Sequence, residues 1–181
     1  MADERPTPHR LDLVIDFVNT ADLDRGEEEL RDPGALSDWL AGRGLLGEGE
    51  RAGPEHLARA LELREALRQT MLANNGGPAE EPALGRLEQA ARRGELSVRF
   101  RDGTSLLEPC AEGPDGALAA LLAPVAEAMS DGTWARVKAC RADGCRWAFY
   151  DFSRNRSGTW CEMAVCGNRE KVRAYRERTT G

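Results

Sequence analysis

Histidine and lysine are scarce in this chain of 181 residues. It contains two histidines, His9 and His56, and two lysines, Lys138 and Lys171, so arginine supplies the other basic side chains. The sequence also lacks a glycine-rich loop that would cradle a phosphate and the strand-turn-helix motif that presents a nucleophile. We therefore expect that the protein is not an enzyme. Because arginine is favoured along the whole chain, the position of an arginine says more about phosphate binding than its identity.

Long apolar segments are also missing. No hydrophobic run approaches the ~20 residues that span a bilayer, so we expect a cytoplasmic protein without membrane contact. Hydrophobic residues nevertheless make up 41% of the chain, which is enough for a globular core. The length is typical of one ordinary domain with a small appended module.

Four of the five cysteines lie in the last quarter of the chain, as Cys140-x4-Cys145 and Cys161-x4-Cys166. Two such knuckles supply the four soft ligands that one structural Zn²⁺ requires, and Asp-Gly and Gly-Asn pairs next to them favour tight turns. Clustering at one end is also unlike the disulfide framework of a secreted domain. Two local disulfides, or a thiol switch that releases zinc on oxidation, are the alternative interpretations. We expect Cys110, which stands alone, to be a small buried side chain at the end of a strand.

Charge is distributed unevenly between the two parts of the chain. Residues 1–131 hold 14 basic and 26 acidic side chains, a balance of −12, whereas residues 132–181 hold 11 basic and 5 acidic, a balance of +6. Four thiolates with Zn²⁺ would leave about +4 on the C-terminal part. This asymmetry indicates that the C-terminal part binds a polyanion while the acidic part has another role.

Local sequence signals predict a mostly helical N-terminal part with one small antiparallel hairpin. Asp32-Pro33 is typical of a helix start, and Asp102-Gly103 between apolar runs is typical of a hairpin turn. Pro124 is expected to kink or divide the last helix of this part. The predicted elements are a segment at 10–20 that is either strand or helix, helices beginning at 33, at 54–73, 83–92 and 116–129, and strands at 95–100 and 105–110.

A basic loop and a basic helix are predicted in the C-terminal part. A short strand leads into Ser153-Arg154-Asn155-Arg156-Ser157-Gly158, which is small, polar and suited to phosphate contact. After the last cysteine, residues 169–178 favour a helix with Asn168 as its cap. Arg169, Arg173 and Arg176 then lie within about 60° of one another on a helical wheel. Val172 and Tyr175 are expected on a neighbouring face toward the core.

Seven of the ten aromatic residues also lie after residue 131. Aromatic side chains between arginines can stack on bases, but a module of about fifty residues also needs large side chains around its metal. We expect Trp147, Phe149 and Trp160 to pack. An exposed Trp134 or Tyr150 would favour RNA binding.

Several motifs resemble known families. Phe149-x-Asp151-x-Ser153-Arg154-Asn155-Arg156-Ser157, Trp160-Cys161-x-Met163-Ala164-Val165-Cys166-Gly167-Asn168-Arg169-x-Lys171 and Tyr175-Arg176-x-Arg178 resemble the CGNR zinc finger family over about residues 134–178. Asp16-Phe17-Val18-Asn19-Thr20, Trp39-Leu40 and Leu63-Arg64-x-Ala66-Leu67-Arg68 resemble the ABATE domain that accompanies this finger. The resemblance implies a bacterial stress-induced transcription regulator whose finger binds DNA, with Cys140, Cys145, Cys161 and Cys166 as metal ligands. It also places Asn168, Arg169 and Lys171 in the finger's signature.

Together these observations predict an α+β protein of two domains, an ABATE-like domain at 1–131 and a zinc finger at 132–181 that ends in a basic helix. The expected partner is double-stranded DNA, contacted by the Arg154/Arg156 loop, by the Arg169/Arg173/Arg176 stripe and by the signature residues. A module of this size buries only roughly 600–1,000 Å² on DNA, so specificity is expected to need a homodimer or a partner. The acidic part would supply dimerisation, sensing of a small-molecule ligand, or repulsion of non-target DNA. A zinc-stabilised protein-interaction module and RNA binding are the alternative hypotheses.

Overall fold

Seven α-helices and three two-stranded antiparallel hairpins form the part of the chain that the computed structural model describes, residues 6–78 and 81–180. None of these helices is long and apolar enough to cross a membrane. The helices are α1 (Leu11–Val18), α2 (Pro33–Gly42), α3 (Pro54–Asn74), α4 (Glu81–Arg93), α5 (Gly113–Ala120), α6 (Leu122–Asp131) and α7 (Asn168–Thr180). The hairpins are β1 (Ala21–Asp22) with β2 (Glu27–Glu28), β3 (Ser97–Arg101) with β4 (Thr104–Glu108), and β5 (Val137–Ala139) with β6 (Ala148–Tyr150). The α+β class is therefore confirmed.

The helix signals in the N-terminal part act as predicted. Asp32 caps α2, because its Oδ1 accepts a hydrogen bond of 2.8 Å from the backbone N–H of Ala35. Helix α3 presents Leu63, Leu67 and Met71 to the core at a spacing of four residues, and all three are buried. The ambiguous segment at 10–20 is a helix with several fully buried apolar residues.

The hairpin β3–β4 turns at the predicted Asp-Gly pair. Asp102 and Gly103 have φ angles of 52° and 75°, the left-handed conformation that a two-residue turn of this kind requires. Cys110 follows the hairpin, and the prediction that it is buried is wrong. It is exposed, and Arg99 donates a hydrogen bond to its Sγ at 2.9 Å.

The last helix of the N-terminal part is divided in two, at Leu121 between α5 and α6. Pro124 explains the position of the break. Proline has no N–H to donate to the carbonyl four residues earlier, and its ring clashes with that carbonyl. That carbonyl belongs to Ala120, the last residue of α5.

One hydrophobic core joins residues from both sides of position 131. Trp134, Val137, Ala139 and Ala148 are buried in the same cluster as the apolar residues of α1, α3 and α6. Because this core is continuous, the division into domains at 1–131 and 132–181 stays a prediction.

Three asparagines bind the hairpin β5–β6 to the helical part. Asn19 pairs with Ala148 as a neighbouring strand would, since its Nδ2 donates to the Ala148 carbonyl at 3.0 Å and its Oδ1 accepts from the Ala148 N–H at 2.8 Å. Asn74 at the end of α3 donates to the carbonyls of Trp134 and Val137. Asn75 donates to those of Ala139 and Thr159, both at 2.8 Å. Buried carbonyls left without such donors would cost about 1–3 kcal/mol each, so these side chains hold the C-terminal module in one orientation.

Candidate metal centre and nucleic-acid interface

The four clustered cysteines come from two tight turns. Cys140 directly follows β5, and the turn to Cys145 is closed by hydrogen bonds from the Cys145 N–H to the Ala142 carbonyl and from the Cys140 N–H to the Trp147 carbonyl, both 2.9 Å. Cys161 begins the second turn, in which the Cys166 N–H donates to the Glu162 carbonyl at 2.9 Å. Each turn therefore points two thiols toward the same place.

The four sulfur atoms lie close together, and two of their separations are close to the distance that a zinc ion imposes. All of them are within 4.8 Å of one another. The Cys145 and Cys161 sulfurs are 3.6 Å apart and those of Cys161 and Cys166 are 3.7 Å apart. Tetrahedral Zn²⁺ with Zn–S bonds of about 2.3 Å places its sulfurs roughly 3.8 Å apart. A disulfide bond needs about 2.05 Å, and all five thiols are free, so the disulfide interpretation is wrong.

The thiols also compete for negative charge. Hydrogen bonds from Cys145 and Cys161 lower the pKa of Cys140 to about 2. The hydrogen bond between Cys145 and Cys140 in turn raises the pKa of Cys145 to about 12. A hydrogen bond to Cys140 also raises the pKa of Cys161. Without a cation, the ionisation of one thiol thus opposes ionisation of its neighbours. A divalent cation at their centre removes this conflict, because it stabilises all four thiolates at once.

Packing around the sulfurs explains the glycine that follows Cys166. A Cβ on Gly167 would lie 2.3 Å from the Met163 sulfur and 3.0 Å from Cδ1 of Trp160. Trp160 packs against the cysteine cluster as predicted. Trp147, in contrast, is exposed, so its predicted packing role is wrong.

Comparison with protein families agrees with this geometry. The ABATE family model, described as "Putative stress-induced transcription regulator", matches residues 11–132, and the CGNR zinc finger model matches residues 136–179. The chain belongs to the ABATE family. No curated protein is significantly similar to it. The finger match and the four clustered cysteines fit one structural zinc ion.

A buried ion pair supports the basic loop of the CGNR finger. Lys138 Nζ lies 2.7 Å from Asp151 Oδ2, and the two side chains are 6% and 3% exposed. Lys138 also donates to the carbonyls of Arg156 and Gly158, at 2.6 and 2.9 Å. The Asp151 carboxylate accepts from the N–H groups of Ser153 and Gly158. The pair therefore fixes both ends of the loop that presents Arg154 and Arg156.

The side chain of Asp151 is ionised. Burial raises the pKa of this carboxyl group, but hydrogen bonds from Lys138 and Ser153 outweigh burial and hold it at about 2. Asp151 is thus ionised at any pH at which cysteine thiolates can hold zinc. Lys138 is a positioning residue that was not predicted from the sequence. The available signal was one of only two lysines in an arginine-rich chain, placed between the apolar residues Val137 and Ala139.

All seven residues predicted to contact nucleic acid are exposed. Two lie in the loop and five on α7, and the list is Arg154, Arg156, Asn168, Arg169, Lys171, Arg173 and Arg176. The prediction that Asn168 caps α7 is wrong. Asn168 already has helical backbone angles after a π-helical turn (Met163–Gly167), and its Nδ2 donates back to the Ala164 carbonyl at 3.0 Å.

The two large apolar side chains of helix α7, Val172 and Tyr175, do not pack against the core. Val172 and Tyr175 were expected to point inward, but they are 49% and 64% exposed, so this prediction is wrong. The helix is held instead by its continuity with the second cysteine turn and by ion pairs of its arginines.

Two arginines of the α7 stripe already contact carboxylates. Arg169 binds both oxygens of Asp24, at 2.6 and 3.0 Å. Arg173 lies 2.6 Å from Glu170 and 3.7 Å from Asp143. Within the described residues, by contrast, Arg154, Arg156 and Lys171 form no ion pair.

The arginines of the ABATE motif have a structural role. Arg64 donates to both oxygens of Glu28, at 2.7 and 2.6 Å, and to the Thr20 hydroxyl. Arg68 donates to the carbonyls of Val18 and Ala21. These buried side chains lock the hairpin β1–β2 onto α3. Glu28 therefore has a structural role as the partner of Arg64.

We predict that Cys166→Ser removes the bound zinc and Cys110→Ser does not. Cys166 supplies one of the four converging sulfurs, whereas Cys110 lies outside the cluster. Elemental analysis of the purified variants should give about one zinc per chain for the wild type and Cys110→Ser, and much less for Cys166→Ser. Equal zinc content in the two variants would contradict the assignment.

We also predict that Lys138→Met lowers the free energy of unfolding by about 3–5 kcal/mol, because it leaves Asp151 as a buried charge without its cation. Lys171→Met is the matched control, since it removes the other lysine of the chain from an exposed position. This control should change the free energy of unfolding by no more than about 0.5 kcal/mol. Urea unfolding of the zinc-loaded proteins measures both values, and equal small losses would refute a supporting role for the pair.

Proposed function

We propose that this ABATE-family chain is a DNA-binding transcription regulator, in which the zinc-ordered CGNR finger places a basic loop and α7 against the phosphate backbone of duplex DNA. The observation that carries the proposal is the start of α7. The helix begins two residues after the zinc ligand Cys166 and carries Arg169, Arg173 and Arg176 at exposed positions.

Charge supports a polyanion as the partner. The C-terminal part keeps about +4 with zinc bound, although the chain as a whole has a net charge of −6. Exposed cations concentrated in one part of an acidic protein are typical of a phosphate-binding surface. Arg154, Arg156 and Lys171, which form no ion pair with any residue that the structure describes, can bind phosphate without first breaking such a pair.

The two aromatic residues considered for base stacking give no support to RNA binding. Trp134 is buried in the core, and Tyr150 packs against Phe152 with ring centroids 4.7 Å apart. The two side chains considered for base stacking are thus engaged within the protein, whereas backbone contact needs only the exposed cations.

In this proposal the zinc is structural and the protein is not an enzyme. Four thiolates fill the coordination sphere and leave no position for water. The acidic N-terminal part holds the finger and regulates it. The regulation belongs to a stress response in the bacterial cytoplasm. A homodimer provides two fingers, so that each contacts one half of a specific DNA site.

We predict that the triple variant Arg169→Ala/Arg173→Ala/Arg176→Ala loses duplex binding. Fluorescence anisotropy with a labelled duplex of mixed sequence, at several salt concentrations, should show an affinity about tenfold lower or more. The slope of the logarithm of the binding constant against the logarithm of the salt concentration should become less steep by roughly 1–3. Each lost phosphate contact contributes about 0.9 to this slope.

The matched control is Arg86→Ala/Arg92→Ala/Arg93→Ala, which removes three exposed arginines from α4. This variant should bind nearly as tightly as the wild type. Equal losses of affinity in the two triple variants would mean that the effect comes from the net charge of the protein and not from α7. If the zinc-loaded wild type does not bind duplex DNA even at low salt, the proposal fails and a protein-interaction module becomes the better hypothesis.

A further inference from the structure

The contact between Arg169 and Asp24 joins the CGNR signature to the N-terminal part of the chain. The two residues are separated by 145 positions. Arg169 Nη1 donates to Asp24 Oδ1 at 2.6 Å, and Arg169 Nη2 donates to Asp24 Oδ2 at 3.0 Å. This two-point arrangement is also the geometry in which arginine binds two oxygens of a phosphate group. The two Nη atoms of Arg169, here called the fork of Arg169, cannot bind Asp24 and a phosphate at the same time.

Asp24 is held in place by its own turn. It lies between β1 and β2, where Asp22 Oδ1 accepts from the N–H groups of Asp24 and Arg25, at 3.0 and 3.1 Å. Gly26 completes the turn with a φ of 69°, which glycine adopts readily. The carboxylate is therefore presented by an ordered turn.

The hairpin that carries this turn is fixed to the core. Arg64 binds Glu28 on β2 through two hydrogen bonds, and Arg68 donates to the carbonyl of Ala21 on β1. Both arginines belong to α3, the helix whose end also holds β5. The position of Asp24 relative to the finger is thus set by the same helix that positions the finger.

Both partners of the contact are accessible to an incoming ligand. Their side chains are 41% and 45% exposed, so a phosphate can reach Arg169 without unfolding of the protein. The hydrogen bond from Arg169 also lowers the pKa of Asp24, which keeps the carboxylate charged and competent to compete. A second acidic residue, Asp143 in the first cysteine turn, faces Arg173 at 3.7 Å.

We propose that Asp24 is a built-in competitor for the phosphate-binding fork of Arg169, so that DNA binding by the finger requires exchange of this intramolecular carboxylate for a backbone phosphate. The inference rests on the proposed DNA-binding function and assigns its regulation to the hairpin β1–β2. A change that displaces this hairpin from α7 would raise DNA affinity.

The test compares Asp24→Asn with Glu27→Gln. Both variants remove one negative charge from the same exposed hairpin and keep the size of the side chain, but only Asp24 touches Arg169. With zinc-loaded protein and a labelled duplex at constant salt, Asp24→Asn should bind about two- to fivefold more tightly than Glu27→Gln, because it removes a solvent-exposed ion pair. In an Arg169→Ala background the same two substitutions should give equal affinities.

Equal affinities of Asp24→Asn and Glu27→Gln in the wild-type background, with clear binding by the wild type, would overturn this inference alone. An advantage of Asp24→Asn that persists in the Arg169→Ala background would also overturn it, because the effect would not pass through Arg169. Absence of duplex binding by the wild type and every variant would overturn the proposed function, and the competition with it.

Discussion

The convergence of four cysteine sulfurs on one point is the constraint on which the C-terminal third of the molecule depends. The thiols cannot all carry charge beside one another unless a cation binds them, and zinc meets this need while closing both cysteine turns. The first turn joins β5 to β6, and the second leads directly into α7. The metal therefore sets where the hairpin ends and where the basic helix begins.

The finger is held by contacts with the helical part of the protein as well as by its metal. Asn19, Asn74 and Asn75 satisfy backbone groups of the finger from the helical part, and Trp134 enters the shared core. An isolated finger of this size would have little apolar surface to bury. In this chain the end of helix α3 supplies a base for the hairpin β5–β6, which precedes the basic loop.

Features that depend on local chemistry could be predicted from the sequence. Cysteine spacing, the Asp32 cap and the Asp102-Gly103 turn each depend on a few neighbouring residues, and all three are as predicted. The contacts of Asn75 and the Arg169–Asp24 pair join residues 64 to 145 positions apart, and no local pattern specifies such partners. The inward orientation of Val172 and Tyr175 was wrong for the same reason: helical periodicity gives a face, but only the tertiary packing decides whether anything covers it.

The central claim is that the zinc-ordered loop and α7 form the surface that meets DNA. Amide hydrogen exchange of the zinc-loaded protein, with and without duplex DNA at low salt, tests it most directly. The account predicts slower exchange at residues 153–157 and along α7 when DNA is present, and no change in the hairpin β3–β4 on the other part of the molecule. Unchanged exchange in the loop and in α7, whether or not another segment becomes protected, would contradict it.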